Sequence, residues 1–240
     1  MKSNIVSLLG KKVTRHMFFH REIDKIKRMI LELGTLTEDR LRRACIIIHQ
    51  PDNQSEALRI MESDWQIDDM EVRIEEECLK LMALHQPVAR DLRLLVVIIK
   101  INNELERIAD IAVNIAKRLI SIGKKQNAAH IGQIVDYTPM ASQVLDMLKN
   151  SLNALVTEDA KLARQIFLMD EKVNKLRDAA YKSVVDEIQR HPEHAASLIN
   201  IYLISRHLER VGDRAKNIAE EVIYLVEGEI VRNEEFDQAR

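Results

Sequence analysis

One stretch of this chain occurs twice. Residues 105–116 read LERIADIAVNIA and residues 208–219 read LERVGDRAKNIA. Eight of the twelve positions are identical in register: Leu, Glu, Arg, Asp, Ala, Asn, Ile and Ala. Two more are conservative, Ile108 against Val211 and Ala109 against Gly212. Such a repeat marks an internal duplication whose unit is about half the chain, so the fold must be one that two similar halves can build. Each copy places Glu and Asp four residues apart, Glu106 with Asp110 and Glu209 with Asp213, and an Asn four further on, Asn114 and Asn217. A four-residue step turns a helix by about 40° beyond one full turn, so the three side chains make one polar stripe.

Apolar residues recur at three- and four-residue steps through most of the sequence, the period of an amphipathic helix. The spacing predicts helices over about 16–49, 55–84, 88–122, 137–156, 159–189 and 193–227, with a loose start over 1–12 and a polar, frayed end. Gly and Pro are scarce, at 6 and 4, so each breaker carries weight. Pro51 marks a turn. His85-Gln86-Pro87 and His191-Pro192 break the second and fifth helices in equivalent places, because proline lacks an N–H and disfavours helix in the residue before it. Thr157-Glu158-Asp159 holds an N-cap candidate, and Gly228 ends the sixth helix. Periodicity is weakest from Gly123 to Gly132. The expected fold is therefore all-α: two tandem antiparallel three-helix bundles, six long helices in all, with one bundle over 1–124 and the other over 125–240.

Composition narrows the function. The net charge is −2 with no basic block, which argues against a nucleic-acid binder. Cys45 and Cys78 have no metal-ligand spacing and read as buried thiols in a reducing compartment. The N-terminus lacks a secretory core, and the longest apolar run, 94–99, is far short of the ~20 residues of a membrane span. A cytoplasmic location without membrane insertion follows as the expectation.

The stripe acids lie near the inward-facing line of their helices. In the third helix that line passes through Leu92, Leu95, Ile99 and Asn102 to Glu106; in the sixth it passes through Leu198, Tyr202 and Ser205 to Glu209. A carboxylate there is unfavourable unless paired or bound to metal. The second and fifth helices offer partner stripes, Asp64 with Asp68 and Asp170 with Asn174. Two readings compete. In one, the acids are salt-bridged by Arg107, Arg206, Arg210 and Lys216, as acids on charged helices commonly are. Alternatively Glu106, Asp110, Asn114, Asp64 and Asp68 in one half, and Glu209, Asp213, Asn217 and Asp170 in the other, bind a metal ion. An all-oxygen set favours Mg, Mn, Fe or Ca over structural zinc. No His follows a Glu by three residues, which excludes the ferritin-type ligand pattern. The sequence also has no Walker loop, GxGxxG or GxSxG. Trp65 reads as a packing or interface residue.

The chain resembles the PhoU family. The resemblance rests on His85-Gln86-Pro87, Ala89, Asp91-Leu92-Arg93, Lys100-Ile101, the stretch from Leu105 to Asp110, and its second copy from Glu209 to Arg214. Ala109 departs from the family's usual glycine, which Gly212 keeps. The resemblance implies two three-helix bundles, and metal-binding surfaces at the duplicated motif carrying a divalent or trivalent ion, with Fe, Mn, Mg and Zn all open. It implies negative regulation of phosphate uptake and of the phosphate-starvation response by a non-enzymatic adaptor. The partners implied are the ATPase subunit of the phosphate ABC importer and a membrane sensor histidine kinase, with the adaptor a homodimer. The rival readings are a carboxylate-bridged metal-dependent enzyme and a regulator of another phosphate transporter.

Overall fold

In a computed structural model the described residues are 2–50, 53–123 and 134–231, with side chains from Phe18 onward. Among them there is no strand. Seven α-helices follow in order: α1 Lys2–Ile48, α2 Gln54–Glu62, α3 Trp65–His85, α4 Ala89–Gly123, α5 Thr138–Thr157, α6 Ala160–Arg190 and α7 Ala195–Glu227, with a 3-10 turn at Pro192–His194. The expected division of the chain at 124 falls outside the described residues, as do Pro51 and the polar end.

The breakers act where the sequence places them. Gln86 takes a left-handed conformation, φ 47°, before Pro87 and closes α3. His191 closes α6, and Pro192 opens the 3-10 turn. The Asp159 side chain accepts from the backbone N–H groups of Lys161 and Leu162, two of the donors a helix start leaves unpaired. Asn53 does the same for α2 by accepting from Glu56 N–H. Gly228 has φ 81° and donates to the Tyr224 carbonyl, an αL stop to α7.

Two expectations change. The first helix begins at Lys2 rather than near His16. No proline intervenes there, and a lone glycine such as Gly10 costs a helix only about 1 kcal/mol. The single second helix is broken into α2 and α3 at Ser63-Asp64. Arg40 of α1, only 4% exposed, braces this break from another helix, donating to Asp64 Oδ1 at 2.6 Å and to the Ser63 carbonyl, while Ser63 N–H still bonds the Arg59 carbonyl and the Asp64 carbonyl still accepts from Ile67.

α1, the α2–α3 pair and α4 pack on one another, as do α5, α6 and α7, and the two groups meet chiefly along α4 and α7. These two signature helices run antiparallel. From the start of α4 to its end, Arg93 reaches the Tyr224 and Leu225 carbonyls, Lys100 pairs with Glu221, Glu104 with Arg214, and Arg118 donates to Asn200. The same helices bury long apolar faces: Leu105, Ile108, Ala112 and Ile115 of α4 and Ile204, Leu208, Val211 and Ala215 of α7 are all buried. A fully buried aliphatic side chain contributes roughly 1.5–3 kcal/mol, so this apolar surface outweighs the charged contacts at the rim. Cys45 and Cys78 are free and buried, and burial pushes both thiols up to about 12.

The clamp on the α2–α3 break is testable. Arg40→Met keeps the aliphatic stem and removes the donors to Ser63 and Asp64. Urea unfolding should show a loss of roughly 2–3 kcal/mol, the scale of charged hydrogen bonds at a buried site. An unchanged midpoint and slope would mean that the break is set by local sequence instead.

Candidate functional site: two acidic stripes

α3 and α4 bring the first stripe together, and α6 and α7 the second. Glu106 is half-buried on α4, Asp110 and Asp68 are exposed, and Asn114 is half-buried. Asp64 sits at the start of α3 and is held by Arg40. The first-half acids crowd one another. The Glu106 carboxyl is pushed up to about 7, by burial first and then by Asp110, Glu71 and Asp68, with Arg107 opposing only weakly. Asp68 is also raised, by burial, then by Asp64 and Asp110. Glu71 is raised by burial, then by Glu75 and Asp68.

The second stripe is differently furnished. Glu209 is only 6% exposed. It accepts from Arg177 of α6 and lies 2.8 Å from Arg206. Asp170 is buried, with Lys216 at 3.6 Å and the Asn174 amide at 3.3 Å from its Oδ2. Its Oδ1 is buried without a hydrogen-bond partner. At Gly212 a Cβ would lie 3.4 Å from Asp170 Oδ1 and 3.5 Å from Met147 Cε, ordinary van der Waals contact, so the packing of α7 does not demand glycine there. Its counterpart Ala109 is buried and accommodated in the first half. Asp213 is half-buried and raised, by burial, then by Glu209 and Asp170, while Lys216 and Arg214 lower it. Asn217 lies beyond, on a cleft of about 510 Å³ with Glu71, Glu75, Lys100, Asn103 and Glu221.

The difference between the stripes follows from three substitutions between the copies. In the helix pair α4/α7 the register of the signature aligns Asn103 with Arg206 and Val113 with Lys216. In the pair α3/α6, aligning Asp64 and Asp68 with Asp170 and Asn174 sets Glu71 against Arg177. The second copy therefore carries its own cations where the first carries an acid, an amide and an apolar residue. Arg206 and Lys216 were legible as neighbours of the signature. Arg177 was not singled out by spacing, although its charge reversal against Glu71 in the aligned copies is the signal that finds it.

Among the described residues no three His, Cys, Asp or Glu side chains converge closely enough to hold a metal ion as they stand. The first stripe nonetheless suits a cation chemically. Its donors are all hard oxygens, its acids repel one another, and Glu106 and its neighbours have surface freedom to rotate. In the second stripe the guanidinium of Arg177 and the ammonium of Lys216 stand where a cation would neutralise Glu209 and Asp170, with Asp170 Oδ1 and Glu209 Oε2 buried without a hydrogen bond. The ion-pair reading fits this half.

A duplicated architecture whose described residues are all helical, with paired acidic stripes on its helix seams, defines a class of helix-bundle proteins. The comparisons narrow it. A family model for the PhoU domain matches residues 30–119 and again 137–222, and this chain belongs to the PhoU family. It is 35% identical over 215 residues to the phosphate-specific transport system accessory protein PhoU homolog of Pseudomonas aeruginosa, covering 90% of this chain and 88% of that one. It is 32% identical over 215 residues to the phosphate-specific transport system accessory protein PhoU of Serratia marcescens, covering 90% of this chain and 87% of that one. The crystal structure of PhoU from Pseudomonas aeruginosa superposes with a TM-score of 0.79 at 33% identity, over 88% of this chain and 100% of the other.

The crowding at Glu106 sets a pH dependence. Its folded carboxyl titrates near 7, above its ordinary 4.5. The native state therefore holds the proton more tightly than the unfolded state between these values, and stability falls as pH rises through that window. Glu106→Gln in chelator-treated protein should match the parent's thermal midpoint at pH 4.5, exceed it increasingly up to pH 7, and hold a constant advantage above. A pH profile parallel to the parent's would show that Glu106 is not crowded.

Proposed function

We propose that this chain is a non-catalytic accessory and regulatory protein of phosphate transport. It acts as a negative regulator of phosphate uptake and of the phosphate-starvation response, on the cytoplasmic side and as a homodimer. The observation that carries the reading is the match of both halves to the PhoU domain, with relatives named as accessory proteins of phosphate-specific transport. In this role it links the ATPase subunit of the phosphate importer to a membrane sensor histidine kinase. No helix among the described residues is long and apolar enough to cross a membrane, and the net charge of −2 gives no pull towards anionic lipid. Docking is by protein contacts. Two similar bundles offer two surfaces, so modest affinity at each suffices, because binding one partner raises the local concentration for the other.

The first acidic stripe serves the same role as a cation site, with Glu106, Asp110, Asn114, Asp64 and Asp68 as candidate ligands. Of the second-half candidates Glu209, Asp213, Asn217 and Asp170, Glu209 and Asp170 already pair with Arg177, Arg206 and Lys216, so that half has less need of an ion. A bound Fe, Mn, Mg or Zn ion there would relieve the repulsion around Glu106 and fix α3 against α4. Support is strongest for the first half, where the acids have least compensation.

Two experiments test these statements. A deletion strain should keep its starvation genes switched on in ample phosphate, and pull-down from membranes should recover the importer ATPase and the kinase. Normal repression with neither partner recovered would contradict the regulatory role. For the metal, replacing Glu106, Asp110, Glu209 and Asp213 together with Ala should abolish Mn or Fe binding by elemental analysis while the helical circular dichroism signal survives. Undiminished metal content would exclude these ligands.

A further inference from the structure

Three exposed apolar side chains stand on one line of α3. Trp65 is 64% exposed, Val72 50% and Leu79 52%. They recur every seventh residue, a spacing that drifts only about 20° per step on a straight helix. They therefore form a stripe roughly 20 Å long, at about 1.5 Å of rise per residue. Both edges of the stripe are acidic: Asp68 and Glu75 border one side, Asp69 and Glu76 the other, and all four are exposed. Arg73 and Lys80 lie further round and pair with Asp69 and Glu77.

The fold does not require the apolar residues at Trp65 and Val72, although Leu79 corresponds to the half-buried Val185. The duplication supplies an internal control, because α6 occupies the equivalent place in the second half. The core positions correspond in pairs: Ile60 with Ile166, Ile67 with Val173 and Cys78 with Val184 are buried in both copies. In that register the counterparts of Trp65 and Val72 are Glu171 and Asp178, both exposed. The same architecture thus stands with charged residues where α3 places a tryptophan and a valine in water.

An apolar line at heptad spacing with charge on both flanks is one side of a helix-on-helix contact. We propose that the outer face of α3 docks an amphipathic helix of a partner protein, with an apolar line flanked by Lys and Arg. The acids select this occupant. A second copy of the chain would bring Asp68, Asp69, Glu75 and Glu76 against themselves, and like charges facing across an interface are unfavourable. An anionic membrane surface is repelled for the same reason. The inference stands apart from the phosphate role, since it rests on α3 alone.

Trp65 is the only tryptophan in the chain, so its emission reports on this face alone. The full-length protein is titrated with a synthetic helical peptide of three heptads, Leu at the a and d positions and Lys at e and g, and with a matched peptide carrying Glu at e and g. The Lys peptide should shift Trp65 emission to the blue with half-saturation in the micromolar range, weakening as salt is raised. The Glu peptide should bind at least tenfold more weakly. Val72→Glu with Leu79→Glu should abolish the shift with helical content unchanged, since both side chains are exposed; Val72→Ser with Leu79→Ser gives the same readout with a milder change. The proposal is overturned by no shift with the Lys peptide, by equal shifts with both peptides, or by a shift indifferent to the substitutions. A blue shift that grows with protein concentration alone, with a dimer in sedimentation, would assign the face to a second copy and overturn it equally.

Discussion

The antiparallel packing of α4 on α7 is the contact on which the rest of the molecule depends. Each helix carries a copy of the signature. The two helices meet between the halves, tied by Arg93, Lys100, Glu104 and Arg118 of α4 to α7, while α1, α2 and α3 pack behind α4, and α5 and α6 behind α7. Once the seam is fixed, the stripe acids have nowhere else to go. Glu106 and Glu209 follow directly on Leu105 and Leu208, both fully buried, so a carboxylate is held beside the core in each half and must be compensated by something.

The two halves compensate in different ways. In the second, Arg177, Arg206 and Lys216 close on Glu209 and Asp170. In the first, Glu71, Asn103 and Val113 occupy the aligned positions, and the acids are left to crowd one another until the Glu106 carboxyl titrates near neutrality. The duplication has kept the geometry of the stripe and diverged in its charge. Symmetry of backbone does not here mean symmetry of charge: one stripe is an internal ion-pair network, and the other is a field of negative charge beside an acid-lined cleft.

Much of this was legible in the sequence. Six helical segments followed from apolar periodicity, and the ends at Pro87, Pro192 and Gly228 followed from backbone chemistry that local sequence controls. The hidden features were tertiary. The break at Ser63-Asp64 is braced by Arg40, which reaches it from another helix. Leu92, read as part of the inward line, is 40% exposed, because it lies in the first turn of α4, at the end of the bundle, where Val88 is also in solvent. Glu106 and Glu209 look alike in sequence and differ in surroundings, since Arg177 comes from a helix that signature spacing does not address. Trp65 carried no sign in one dimension of whether it faced the core or water.

The proposed difference is that the first stripe, alike in sequence to the second, needs a cation where the second does not, and counting bound ions decides it. Chelator-treated full-length protein is titrated with Mn²⁺ at pH 7.5, and bound metal per chain is measured by electron paramagnetic resonance of the free ion. The account predicts one class of site that Asp68→Asn with Glu106→Gln removes and Glu209→Gln with Asp213→Asn leaves intact. Two equivalent classes of site, each lost with its own half's acids, would contradict it.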